Sequence, residues 1–165
     1  MKVYENSFDS NEWFVIVSLV LFIFLIWITP KIFSFIEGTA HFVYGFFIGM
    51  FYDHTISVPP WDFYDVNDNS GYQFIDFLSY LMYGPYSYFF IYLYAKLNIK
   101  GYMTVVYLLI WLGISLLIEW IAIKVGIFHY EKGFKMFWSA PIYMSAQILQ
   151  IIYYHLIKMN ESKSN

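Results

Sequence analysis

Charged residues in this chain sit at the edges of long apolar runs. Crossing roughly 30 Å of hydrocarbon takes ~20 helical residues, and five runs approach or reach that length. Residues 13–30 carry no charge between Glu12 and Lys31. Residues 32–52 are interrupted only by Glu37 and His41. Residues 77–95 lie between Asp76 and Lys96, residues 102–123 carry Glu119, and residues 136–157 hold no formal charge. The pattern predicts an all-α transmembrane helical bundle with five spanning helices in a single domain over 1–165. Only helices satisfy their own backbone in lipid without closing a barrel.

Connections follow from the same pattern. Pro30 stops the first helix, since proline cannot continue one, so the first two runs read as a tight hairpin divided near Pro30 and Lys31. Residues 53–73 form the one long polar loop, rich in Pro, Asp, Asn, Ser and Gly, with turn chemistry and no periodicity for a strand or helix. Residues 96–100 make a short turn, 124–135 a second polar connection, and 161–165 a frayed tail. The first run resembles a signal peptide in length only. Glu5, Asp9 and Glu12 share its leading segment with Lys2, and no small-x-small cleavage site follows.

Composition sharpens the membrane reading. The 165 residues are 60% hydrophobic and 13% charged, against about 25% charged in an ordinary soluble domain. So little charge cannot cover a water-facing surface, and the lipid bilayer is the expected partner, with a membrane protein a candidate second one. A net charge of −3 argues against nucleic acid. With no cysteine, disulfides, thiol catalysis and Cys-based zinc sites are excluded. The location expected is the cell membrane, multi-pass, in a bacterial cytoplasmic membrane. Lysine bias orients such proteins. Here Lys2, Lys124, Lys132 and Lys135 face Lys31, Lys96, Lys100, Lys158 and Lys163, a small excess that favours the C-terminus inside and the acidic loop outside.

Ionisable groups within spans cost ~2.5–3.5 kcal/mol at the centre on insertion scales, so each needs a reason. Glu37 and His41 lie four residues apart on one helix face, within reach of each other. Gly45 and Gly49 extend that face as a small-residue pair that admits a neighbouring backbone. The last run carries Ser139, Tyr143, Gln147, Gln150 and Tyr154 on one face, with His155 near its end. Ser115 and Glu119 mark a similar face on the fourth. Glu37, His41, Glu119, Gln147, Gln150 and His155 are therefore the candidate buried polar or relay residues. Interhelical glue is the commoner use of such stripes, a proton or cation relay the alternative. Depth places Glu37 and His155 near one surface and Glu119 near the other, as two separate clusters.

The acidic loop offers Asp62, Asp65, Asp68 and Asp76 as candidate cation ligands. Asp65, Asn67, Asn69 and Asp76 match positions one, three, five and twelve of a calcium loop, but Gly71 falls one residue late and the last ligand is Asp. Turn formation and capping explain the same residues. Asp53, His54 and His129 lack any zinc-motif spacing. No nucleophile elbow, phosphate loop or dinucleotide fingerprint occurs, so no catalytic residue, metal or cofactor is expected.

The string from Asp53 to Asp68 (DHTISVPPWDFYDVND), with Phe77–Pro85 (FLSYLMYGP), Glu119-Trp120 and Phe128-His129-Tyr130, resembles a family of uncharacterised small multi-pass membrane proteins of Bacillus and related spore-forming Firmicutes. The resemblance runs from the first span to the fifth and implies source and topology, with no activity attached. Three roles then stand in order: a non-enzymatic structural or accessory membrane protein, a small proton- or cation-linked carrier, and a membrane-embedded metal-dependent enzyme. A water-filled path joining Glu37 to Glu119 would favour the second. Convergence of Asp53, His54, Glu119 and His129 would favour the third.

Overall fold

The computed structural model describes residues 3–4, 8–68 and 71–164, with backbone alone for 161–164. Lys2, Glu5, Asn69, Ser70 and Asn165 lie outside the described residues, as does the side chain of Lys163. Five helices make up most of the described residues: α1 Ser10–Ile28, α2 Phe35–Ile56, α3 Phe74–Lys96, α4 Tyr102–Lys124 and α5 Ser139–Ser164.

Capping chemistry sets the helix starts. Asp9 opens α1, accepting from the Asn11 N–H at 3.0 Å while the Glu12 carboxylate accepts from the Asp9 N–H at 2.8 Å. This reciprocal box satisfies donors that no helix can pair internally. Ser34 and Glu37 repeat it at α2, with 2.9 and 3.2 Å bonds. The second helix consequently starts at Phe35, three residues later than the charge pattern implies, and runs on to Ile56. Asp53 and His54 are therefore its last turn rather than loop. Asp76 caps α3 by accepting from the Gln73 N–H at 2.6 Å, moving that start back to Phe74. Residues 136–138 are a separate 3-10 turn before α5, and α5 continues through the expected tail to Ser164.

The polar loop is not strand-free. Tyr64–Val66 (β1) pairs antiparallel with Phe128–Tyr130 (β2), in the register Tyr64↔Tyr130, Asp65↔His129 and Val66↔Phe128. Three residues carry no readable periodicity, and the strand exists only because its partner lies more than sixty positions away. The Tyr4 ring stacks on His129 at 3.8 Å, and its N–H donates to the Asp68 carbonyl at 2.8 Å. Together these segments form a cap.

Cross-helix bonds fix the direction of each helix. Asn11 near the start of α1 donates to Asp68 in the cap, and Tyr80 early in α3 donates to Asp53 late in α2. Ser139 at the start of α5 donates to Glu119 late in α4. At the other end, Lys158 late in α5 pairs with Glu37 early in α2. The helices thus alternate up and down, and the first and last described segments lie at opposite ends.

Helix α3 runs through the middle, packed against α1, α2 and α5, and most of its buried residues are aromatic or small. Gly45 and Gly49 of α2 let the two backbones close up. A methyl group at Gly45 would overlap the Tyr83 carbonyl oxygen, and one at Gly49 would overlap the Tyr83 ring. An aromatic cluster of Phe90, Tyr94, Tyr107 and Trp111 joins α3 to α4, and Val15, Ala122 and Ile127 pack beneath the cap. By length and apolar content two helices, Ser10–Ile28 and Tyr102–Lys124, are able to cross a membrane. The other three carry their hydroxyls, amides and glycines inward, which lowers their average apolarity without making their outer faces polar.

Candidate functional site: a cavity beneath the cap

Polar stripes from four helices meet inside the bundle around a cavity of about 360 Å³. Tyr44, Gly45, Gly49, Tyr52 and Asp53 face it from α2, and Tyr80, Tyr83, Tyr86 and Ser87 from α3. Ser115 and Glu119 contribute from α4, and Tyr143, Gln147 and Gln150 from α5. Phe14, Ser18 and Phe22 of α1 close one side, while Tyr64, Val66, Ile127 and Phe128 roof it with the cap. The volume falls within the ~300–1,000 Å³ typical of small-molecule sites. Most of the wall is hydrocarbon or aromatic ring, with polar groups at a few points.

Hydroxyl hydrogens in the wall are largely committed. Ser115 donates to the Trp111 carbonyl at 2.8 Å, so its oxygen must accept from Tyr86 at 2.8 Å and from the Gln147 amide at 3.1 Å. Ser87 donates to the His41 carbonyl at 2.7 Å and accepts from Gln150 at 2.6 Å. Tyr44 donates to the Ala146 carbonyl at 2.6 Å. Since a hydroxyl has one hydrogen to give, these bonds fix the orientation of both glutamines: each presents its NH₂ to the serine.

Acceptors remain over. Glu119 takes hydrogen bonds from Tyr130 and Ser139, each at 2.6 Å and both on Oε1, and Tyr143 flanks the same carboxyl. Its Oε2 has no hydrogen-bond partner, and neither does Gln147 Oε1. Glu119 is 4% exposed and Gln147 6%. Leaving a buried polar atom unpaired costs ~1–3 kcal/mol. Asp53, half-buried, accepts from Tyr80 and from Ser57. Among the described residues no lysine, arginine or histidine lines the cavity, so two carboxyl groups share it with no described cationic side chain.

The other candidate residues separate from this site. Glu37 is spent on the Ser34 cap and on Lys158. His41 is fully buried, with neither ring nitrogen hydrogen-bonded, among Phe33, Tyr153 and Tyr154. The Glu37–His41 hydrogen bond that their spacing allows is therefore not made. The capping box draws the Glu37 carboxylate back to the helix start, and a lysine from α5 takes its second oxygen. Neither residue lines the cavity. His155 is exposed, with Tyr94 at 3.4 Å.

The acidic residues of the loop also go to separate partners. Asp62 pairs with Lys132 at 3.2 Å, and Asp65 accepts from Tyr4 at 2.6 Å. Asp68 accepts from Asn11, and Asp76 from Asn67 at 2.7 Å. The Asp68 carboxyl is pushed up from the ordinary carboxylate range by burial, against the Asn11 bond that lowers it, with Glu12 adding to the rise. Burial and the neighbouring Asp65 likewise raise the Tyr4 phenol. Among the described residues no group of three His, Asp or Glu side chains is placed to hold a metal ion. The grouping of Asp53, His54, Glu119 and His129 fails on that geometry, and Asn69 of the calcium alignment lies outside the described residues. No protein-family model, curated protein or solved structure matches this chain.

Sequence reasoning placed Asp53 in the loop and missed Tyr44, Tyr52, Tyr64, Tyr80, Tyr83 and Tyr86 as site residues. A signal for Asp53 existed, because Glu37, His41, Gly45, Gly49 and Asp53 recur every four residues along one helical face. Ending the helix at residue 52 hid the last of them.

Proposed function

We propose that this chain is a multi-pass integral membrane protein, with all five helices crossing the bilayer, that binds a small and mostly apolar molecule in its core. The cavity beneath the cap carries the reading. Its volume suits a small molecule, and its wall is mostly apolar with a few polar groups placed to orient a ligand.

The five-span part rests on where the side chains face. Val17, Val20, Leu21 and Phe24 of α1, Val43, Phe47 and Phe51 of α2, Val105 and Leu109 of α4, and Leu149, Ile152 and Leu156 of α5 are all exposed. Glu119, Ser87, Ser115, Gln147 and Gln150 are buried. Apolar groups outside and polar groups inside suit lipid as the solvent. The resemblance to the spore-former membrane family belongs to the same proposal. A through-carrier is less well supported, because the cavity wall stops short of His41 and Glu37.

Two measurements test it. Reporter fusions at the two termini should mark opposite compartments; agreement between them would reject five spans. Neopentylbenzene, a neutral aromatic probe, should raise the melting temperature of the full chain in nanodiscs. Ala146→Trp, which fills the cavity, should abolish that rise. An unchanged response in the variant would place the binding elsewhere and overturn the reading.

A further inference from the structure

We propose that the ligand of this cavity is a lipophilic organic cation, an amine or quaternary ammonium on a compact apolar body, with its charge held by Glu119 and Asp53. The inference rests on the binding reading above and adds the ligand's chemistry.

Three independent features converge on it. The first is charge: among the described residues two carboxyl groups line the cavity and no cationic side chain does. A buried carboxylate without a partner is costly, by several kcal/mol in real proteins, and a cationic ligand supplies the missing partner. The second is hydrogen-bond polarity. The unpartnered atoms in the wall, Glu119 Oε2 and Gln147 Oε1, are both acceptors, so the complementary ligand brings donors or positive charge. Ser87 and Ser115 have already spent their hydrogens on backbone carbonyls, and Tyr80 donates to Asp53. The third is the wall itself. Tyr64, Tyr80, Tyr83 and Tyr143 come from three elements, β1, α3 and α5, around the two carboxyls, and the negative faces of aromatic rings attract cations.

Position in the helices orients the ligand. Asp53, Glu119, Tyr80 and Tyr143 all belong to the helix ends beneath the cap, while Ile48, Met82 and Phe90 lie deeper. The charged head sits under the strand pair and the apolar body points toward the middle of the bundle. A hydrated inorganic cation fits this site poorly, since it needs a shell of oxygens that the largely aromatic wall does not supply.

The test compares benzyltrimethylammonium with its neutral isostere neopentylbenzene. Both are titrated against the full chain in zwitterionic nanodiscs, with the melting transition followed by tryptophan fluorescence. The cation should bind at least about tenfold more tightly than the isostere, a difference that one well-placed charge contact supplies. Glu119→Gln should erase that preference while leaving neopentylbenzene binding intact, which also reports that the variant is folded. Asp53→Asn should reduce the preference in the same direction and serves if Glu119→Gln does not fold. Equal binding of the two probes, or a cation preference that survives both substitutions, overturns this inference and leaves the binding reading standing. Binding of neither probe overturns both.

Discussion

Removal of Lys158 is the sharpest probe of how the end of the bundle opposite the cap is held together. Glu37 is 8% exposed in its side chain and bonds through Oε1 to Lys158 Nζ and through Oε2 to the Ser34 N–H. Lys158→Met takes away the first bond and leaves a buried carboxylate with the second. Breaking a fully buried pair costs ~3–5 kcal/mol, but the Lys158 side chain is 39% exposed, so solvent screens the charge that is lost. The start of α2 also favours a negative group at Glu37 through the helix dipole. The loss should therefore be about 1–2 kcal/mol, read as a lower unfolding midpoint in detergent. His41→Leu makes the contrast. Neither nitrogen of His41 is bonded, so a leucine of similar size removes two unsatisfied polar atoms and should change stability by less than ~0.5 kcal/mol or raise it. A double-mutant cycle should give a coupling near 1 kcal/mol for Glu37 with Lys158 and near zero for Glu37 with His41. A large coupling to His41, or a His41→Leu loss as great as that of Lys158→Met, would refute the assignment of partners.

Two helical glycines, Gly45 of α2 and Gly113 of α4, should respond in opposite directions. Gly45→Ala collides with the Tyr83 carbonyl oxygen and should destabilise by ~1–3 kcal/mol through overpacking; Gly113→Ala meets nothing within 4 Å and should stabilise by up to ~1 kcal/mol. Equal effects in thermal unfolding would contradict the tight α2–α3 contact. At the cap, Asp68 holds its proton more tightly in the folded chain than in the unfolded one. Its contribution to stability is thus fully present below the ordinary carboxylate range and lost as pH rises through the raised value. Asp68→Asn keeps the acceptor for Asn11, so it should stabilise the cap near neutral pH and flatten the melting-temperature profile as pH rises above the ordinary carboxylate range; a steeper profile would reverse the sign assigned here.

Helix number and the location of the polar faces were legible in the sequence because both depend on local order. A run without charge is a helix in lipid or in a core, and a four-residue recurrence puts side chains on one face whatever lies opposite. Helix boundaries were less legible, because charge positions mislead where a carboxylate caps its own helix. Glu37 and Asp76 looked like interruptions or edges and are instead the third residues of α2 and α3. The strand pair was invisible for a different reason. Tyr64–Val66 has no pattern of its own, and it is a strand through partners supplied from 128–130. The partners of Glu37 and Glu119 also came from distant segments, Lys158 in one case and Tyr130 with Ser139 in the other.

The two ionisable clusters differ in a way that bears on function. Glu37 meets a lysine, and both of its oxygens are bonded, so that end is electrostatically closed. Among the described residues Glu119 and Asp53 are hydrogen-bonded by phenols and hydroxyls, in a cavity lined by no cationic side chain. A protein needing only glue between helices could have used the Glu37 solution twice, for one lysine near Glu119 would satisfy it. Between the clusters stand His41 and the rings of Phe33, Tyr153 and Tyr154, beyond the end of the cavity wall. Polarity is thus satisfied at one end and left open at the other, with aromatic packing separating them. This one-sided arrangement suits a binding site reached from the cap end or from between the helices, and it sets the unpaired oxygen of Glu119 as the first atom to alter.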